Sequence, residues 1–166
     1  VYEIKGQEDL VHLAVKMKED KIHDFSIKLV GSRKNEYYSY LLNLISKYQL
    51  ENYIEFIDYT NNLEILRENA DIEIICSRSE AFGRVAIEAM NFGNPLIATN
   101  VGGLEEIIEH KKNGLKYEPG NIKQLYDNLN IIINKELDID KITKNGKERS
   151  REFDINTCVV EICKLY

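Results

Sequence analysis

Short apolar runs of strand length alternate with segments of helical period along nearly the whole chain, and this alternation constrains the fold more than any other feature. Asp9 to Met17 places Leu10, Leu13, Ala14 and Met17 on one helical face. Phe25 to Val30 reads as a strand and runs into Gly31. Tyr37 to Tyr48 returns to helical spacing through Tyr40, Leu41, Leu44, Ile45 and Tyr48. Tyr53 to Ile57 is a strand and Leu63 to Ala70 a short helix. Ile72 to Cys76 is an apolar run of strand length, interrupted by Glu73, as expected of a strand covered on both faces. Gly83 to Phe92 follows as a helix with Gly93 as its C-terminal cap. Pro95 opens the strand Leu96 to Thr99, a place proline tolerates. Leu104 to Glu109 is a short helix and Gly114 to Tyr117 a short strand. Asn121 caps a helix reaching about Asn134. Helical segments at Ile139 to Arg151 and Thr157 to Leu165 close the sequence. The pattern predicts an α/β, Rossmann-like domain: a parallel sheet with helices on both faces. Ligands of such sheets bind at the C-terminal ends of the strands, near helix N-termini.

Composition removes several function classes. With 166 residues, the chain fits one domain, read over 1–166. A net charge of −6 argues against a nucleic-acid groove or a polybasic membrane patch. Three cysteines, Cys76, Cys158 and Cys163, form no C-x-x-C pair and read as reduced, buried thiols. His12, His23 and His110 stand far apart, so no metal-ligand spacing is present. No apolar run approaches the length of a transmembrane helix, and no signal peptide is read at the start. These features predict a cytoplasmic domain, and its opening near Lys5-Gly6 reads as a piece of a longer protein.

The chemistry-bearing stretch runs from Ser77 through Glu80, Phe82, Gly83, Arg84 and Val85 to Glu88 and Met90. It follows a buried strand and opens a helix. A helix start offers free N–H groups and partial positive charge, which suit a phosphate. Gly83 admits such a group close to the backbone. Glu80 lies just before the helix and Glu88 about two turns in, roughly 10 Å on. A carboxylate accepts two hydrogen bonds from a vicinal diol. The spacing therefore suits a hydroxylated sugar, a diphosphate and a ribose in that order. Taken alone, two Glu eight apart is a weak signal: Glu80 reads equally as a helix-start acid and Glu88 as a solvated helix residue.

In its ordered set of motifs the sequence resembles glycosyltransferase family 4, whose members are retaining enzymes of the two-domain GT-B fold. The resemblance is carried by Lys5-Gly6-Gln7, Leu29-Val30-Gly31, Tyr53-Ile54-Glu55-Phe56, Ala70-Asp71-Ile72, the E-x7-E pair Glu80 and Glu88, Gly93-Asn94-Pro95-Leu96-Ile97-Ala98-Thr99, Val101-Gly102-Gly103, Gly114-Leu115 and Pro119-Gly120. It implies the C-terminal, nucleotide-sugar-binding half of such an enzyme, with the acceptor-binding N-terminal domain and the first strand of this domain absent. It also implies roles. Glu80 would hold donor-sugar hydroxyls and Lys5 would neutralise the leaving phosphate. Phe82, Gly83, Arg84 and Val85 would surround the diphosphate, Glu88 would take the ribose, and Tyr59 would lie near the base. The donor would be a UDP-sugar on family frequency, with no metal and no other cofactor. Any membrane association would be peripheral, through the missing half.

Departures and competing patterns are visible too. The family's Arg before the Lys-Gly turn is missing, Glu105 stands where Pro is common, and Arg84 where an apolar residue is frequent. Asp138-Ile139-Asp140 spells a metal motif of a different fold but reads better as helix-start acids. Tyr37, Tyr40 and Tyr48 read as core packing, and Gly102-Gly103 as either tight packing or ligand approach. A nucleotide-sugar epimerase half and a non-catalytic glycosyltransferase-like subunit are the alternatives, whereas a dehydrogenase lacks its G-x-G-x-x-G after a strand.

Overall fold

The computed structural model describes residues 1–32 and 34–153. The segment Thr157 to Leu165, with Cys158 and Cys163, lies outside the described residues. A 3-10 turn at Glu3–Lys5 leads into α1 (Glu8–Glu19). Then come β1 (Ile27–Ser32), α2 (Glu36–Lys47), β2 (Ile54–Asp58), α3 (Leu63–Glu68), β3 (Glu73–Ile75) and α4 (Arg84–Phe92). The chain continues through β4 (Leu96–Thr99), α5 (Gly103–Ile107), β5 (Leu115–Tyr117), α6 (Ile122–Ile133) and α7 (Ile139–Arg151). Every predicted element within these residues is present, with ends displaced by at most two residues.

All strand pairs are parallel, but they form two sheets rather than one: β1 with β2, and β3-β4-β5 with β4 central. Among the described residues no strand joins β1 to β3. Side-chain packing and the N-terminal residues connect them instead. The buried face of α1 (Leu10, Val11, Leu13, Ala14, Met17) shares one apolar cluster with Leu29 of β1, Ile54 of β2, Ile97 of β4, and Leu115 and Tyr117 of β5. The Val1 amino group donates to the Gly31 carbonyl at 2.8 Å, and the Arg78 N–H donates to the Ile4 carbonyl at 2.7 Å.

Strand period explains how one chain fills two cores. Successive strand side chains point to opposite faces. On β4, Ile97 enters the α1 cluster, whereas Leu96 and Ala98 enter a second cluster with Ala86, Ala89 and Met90 of α4 and Leu104 and Ile107 of α5. All four β4 residues are buried, so this is the strand covered on both faces. The expectation of full cover for Ile72 to Cys76 holds for its end: Ile75 and Cys76 are buried, while Ile72, Glu73 and Ile74 are half-buried. On α2, Leu41 and Ile45 are buried as predicted, but Tyr40 is 45% exposed. Its ring stacks on Tyr37 and its hydroxyl donates to Glu8 at the surface, because Leu41 takes the inward position of that turn. Tyr37 and Tyr48 are half-buried against the core.

Caps set the helix limits. Asn35, Asn121 and Asp138 accept from the backbone N–H groups of Tyr38, Gln124 and Lys141, satisfying first-turn donors. Asp138 and Asp140 are thus the acidic start of α7. Gly93 ends α4 in the left-handed conformation. No helix of the described residues is long and apolar enough to cross a membrane.

Candidate functional site

The predicted residues other than Tyr59 converge at the C-terminal edge of the β3-β4-β5 sheet. Thr99, at the end of β4, is fully buried and donates to the Ser77 carbonyl at 2.7 Å, which fixes the strand-to-helix loop after β3. That loop rests on Gly102 and Gly103. A Cβ on Gly102 would stand 2.2 Å from the Glu80 carbonyl oxygen, and one on Gly103 would stand 2.4 Å from that of Phe82. The Gly103 N–H donates to the Glu80 carbonyl at 2.9 Å. The tight packing expected as one of the two readings of this glycine pair is therefore present.

Glu80, held through its backbone, meets Lys5 from the other end of the chain. Lys5 Nζ lies 2.6 Å from Glu80 Oε2, and Ser77 Oγ donates to the same oxygen at 3.4 Å. The two side chains are 43% and 20% exposed, so the pair faces a surface that a ligand can reach. Gly6 brings Lys5 to this place. Its φ of 59° closes the turn, and a side chain there would stand 2.2 Å from the Cys76 carbonyl oxygen.

Gly83, with φ 84°, is the N-cap of α4, and the N–H groups of Ala86 and Ile87 turn back to its carbonyl. The amides of Arg84 and Val85, first in the helix, have no preceding helical carbonyl to bind. Around this helix start Phe82 is 53% and Val85 44% exposed. The Arg84 side chain is 81% exposed, with Nη2 3.8 Å from Glu88 Oε1. Glu88 also faces Arg67, whose Nη2 is 3.6 Å from its Oε2. Tyr59 stands apart from this group. It follows β2 on the other sheet, is 71% exposed, and among the described residues no hydrogen bond or ion pair joins it to the other candidates.

Two ionic networks under the site escaped the sequence reading. Asp9, 1% exposed on α1, accepts from Arg78 at two points (2.7 Å each), from the Tyr117 hydroxyl at 3.0 Å and from the Gly120 N–H at 3.2 Å. Arg78 also donates to Glu8 at 2.9 Å. Hydrogen bonding to Asp9 raises the Arg78 pKa further still, so its charge is permanent. Burial raises the Tyr117 phenol and pushes the Cys76 thiol up to about 12. The second network is Arg67 with Glu73, bound at 2.9 and 3.1 Å. Neither is a motif: Asp9 and Arg78 are 69 residues apart, and Arg67 and Glu73 flank a loop like any surface pair.

This geometry agrees with what the chain is similar to. A family model described as "Glycosyl transferases group 1" matches residues 1–149. An uncharacterised glycosyltransferase of Methanocaldococcus jannaschii is 36% identical over 145 residues, 86% of this chain and 40% of that protein. The crystal structure of Anabaena Alr3699/HepE in complex with UDP and glucose superposes with a TM-score of 0.90 at 28% identity, over 99% of this chain and 45% of that one. The C-terminal domain of a glycosyl transferase group 1 family protein (LpcC) from Francisella tularensis superposes at 0.79 with 26% identity, over 93% of this chain and 83% of that domain. The chain thus spans less than half the length of the Methanocaldococcus and Anabaena proteins.

Proposed function

Since the chain belongs to the group 1 glycosyl transferases, we propose that it is the donor-binding half of a retaining, family 4 enzyme of the GT-B fold. Its donor is a nucleotide-sugar, with UDP as the nucleotide, and its product a polysaccharide or glycoconjugate. The observation that carries this reading is the meeting of Lys5 with Glu80, 75 residues apart, beside the amino end of α4. There the N-terminal turn brings a cation to the loop-helix unit that carries a diol-accepting carboxylate and the first two amides of α4, which have no helical carbonyl to bind. The UDP bound to the Anabaena protein, whose fold this chain shares, supports the choice of nucleotide.

In this reading the diphosphate lies against the amides of Arg84 and Val85 at the helix start, beside the exposed Phe82 and the buried N-cap Gly83. The helix dipole favours negative charge there. Glu80 accepts from the sugar hydroxyls, Glu88 from the ribose diol, and Tyr59 lies toward the base. Lys5 turns from Glu80 to the phosphate as the sugar leaves, so its charge is used where negative charge develops. Lys5 and the helix start together replace a metal. The acceptor enters from a second domain on the face the diphosphate leaves, which retains the anomeric configuration. The whole enzyme works in the cytoplasm and reaches any membrane through that second domain.

Calorimetry with UDP, GDP, ADP and the corresponding sugar nucleotides tests the reading. UDP should bind most tightly. Glu88→Gln should weaken UDP and UDP-sugar alike, whereas Glu80→Gln should spare UDP and weaken only the gain given by the sugar. One charge-assisted hydrogen bond lost is worth about 1.5–3 kcal/mol. Equal losses for both ligands in both variants would sink the assignment.

A further inference from the structure

We propose that Arg67 is a positioning residue for Glu88: pinned by Glu73, its guanidinium orients the carboxylate that receives the ribose. The inference rests on the ribose assignment of Glu88 given above. Arg67 closes α3, a helix with no buried residues, so apolar packing does not hold it. Its side chain is nonetheless only 12% exposed. Nε donates to one Glu73 oxygen at 2.9 Å and Nη2 to the other at 3.1 Å. A two-point contact of this kind fixes the plane of the guanidinium as well as its position. Glu73 is itself fixed, because its N–H donates to the Pro95 carbonyl at 2.9 Å and it pairs with Leu96 in the sheet. Asn94 Nδ2 adds a contact to the Arg67 carbonyl at 3.1 Å.

The edge that Arg67 has left then faces α4. Nη2 stands 3.6 Å from Glu88 Oε2, while Glu88 Oε1 has only the solvated Arg84 at 3.8 Å. Among the described residues, one oxygen is set by an anchored cation and the other meets only a solvated one. A Glu side chain on a helix surface otherwise samples many rotamers, and holding it reduces the ordering cost when a diol binds. The plainer role for Arg67 would be to tie α3 to β3. That role would change stability, but it would not touch the recognition of one ribose hydroxyl.

UDP and 2′-deoxy-UDP, titrated calorimetrically into this chain and its variants, separate the two. The original chain should prefer UDP by about tenfold or more, as expected for one charge-assisted hydrogen bond. Glu88→Gln should bring that preference below about threefold, half a decade in affinity. Arg67→Met should do the same, and the double variant should discriminate no less than Glu88→Gln alone, since both act through one carboxylate. Glu73→Gln keeps the shape and loosens the pin, so it should give an intermediate preference even if Arg67→Met folds poorly. If Glu88→Gln loses discrimination while Arg67→Met and Glu73→Gln keep it, the positioning role is wrong and the ribose assignment stands. If Glu88→Gln keeps it, both fall.

Discussion

Arg78→Met is the most searching test of how the site is supported. Asp9 is 2% exposed at its side chain and has four donors, two of them from Arg78. Without the guanidinium, Oδ1 loses its only donor among the described residues and Oδ2 keeps the neutral Tyr117 hydroxyl and Gly120 N–H. Removing one partner of a buried ion pair costs about 3–5 kcal/mol, because the remaining charge is uncompensated. Arg78 is 27% exposed at its side chain, so water screens part of this and the lower figure is the expected one. About 3 kcal/mol is a large share of a typical stability of roughly 5–15 kcal/mol. Urea unfolding followed by circular dichroism reads it as a lower midpoint at unchanged slope. Asp9→Asn in the same background should restore part of the loss, since the stranded charge is then gone. The Lys5 turn is also affected, because Gly6 packs on the lost guanidinium: a Cβ on Gly6 would stand 3.1 Å from its carbon. UDP affinity should therefore fall even where the variant remains folded. A loss below about 1 kcal/mol, the range of an exposed pair, would refute the reasoning.

Three further outcomes are expected. Gly102→Ala forces a Cβ to 2.2 Å from the Glu80 carbonyl at a φ of 47°, so it should cost at least about 1–3 kcal/mol of stability; thermal melting and UDP titration should both show it, and an unchanged melting point would contradict the packing. His110 accepts from the Lys116 N–H at 2.9 Å and its pKa is lowered, first by burial and then by Lys111 and Lys116. The folded state therefore prefers neutral His110, its contribution is complete above the unfolded value of about 6.5, and it is lost as pH falls through the lowered one; urea midpoints between pH 7 and 5.5 should drop, and less so in His110→Gln. Chelation by EDTA should leave UDP binding unchanged, whereas clear rescue by Mn²⁺ would reopen a metal role for Asp138 and Asp140.

Most of the fold was readable because it rests on local rules. The period of Leu10, Leu13, Ala14 and Met17, the apolar run into Cys76, and the capping Asn121 and Gly93 each report on neighbours within a few residues. The division into two sheets was not readable, since strand pairing is decided by residues far apart. Tyr40 failed for a related reason: helical spacing marks a stripe, and Leu41 and Ile45 filled it without the tyrosine. At the candidate site, the placement of Glu80 just before and Glu88 within a Gly-opened helix was legible. Arg67 and Arg78 were not. Nothing in sequence distinguishes an arginine aimed at a buried Asp9 from one in solvent.

The pairing of Lys5 with Glu80 also bears on how a donor could enter. Were it deeply buried, breaking it would cost several kcal/mol and a ligand would have to supply that before binding. With side chains 43% and 20% exposed, the pair belongs nearer the surface class, worth about 0.2–1 kcal/mol. On the proposed reading, a diphosphate that takes Lys5 and a sugar diol that takes Glu80 would exchange one weak contact for two charge-assisted ones. The buried Asp9–Arg78 pair would stay fixed while the exposed pair opens, so that the loop holds its shape as its ion pair is released. Lys5→Met should then leave the unfolding free energy within about 1 kcal/mol of the original. It should lower UDP affinity by about tenfold or more. A large loss of stability with UDP binding intact would mean that Lys5 is a structural brace.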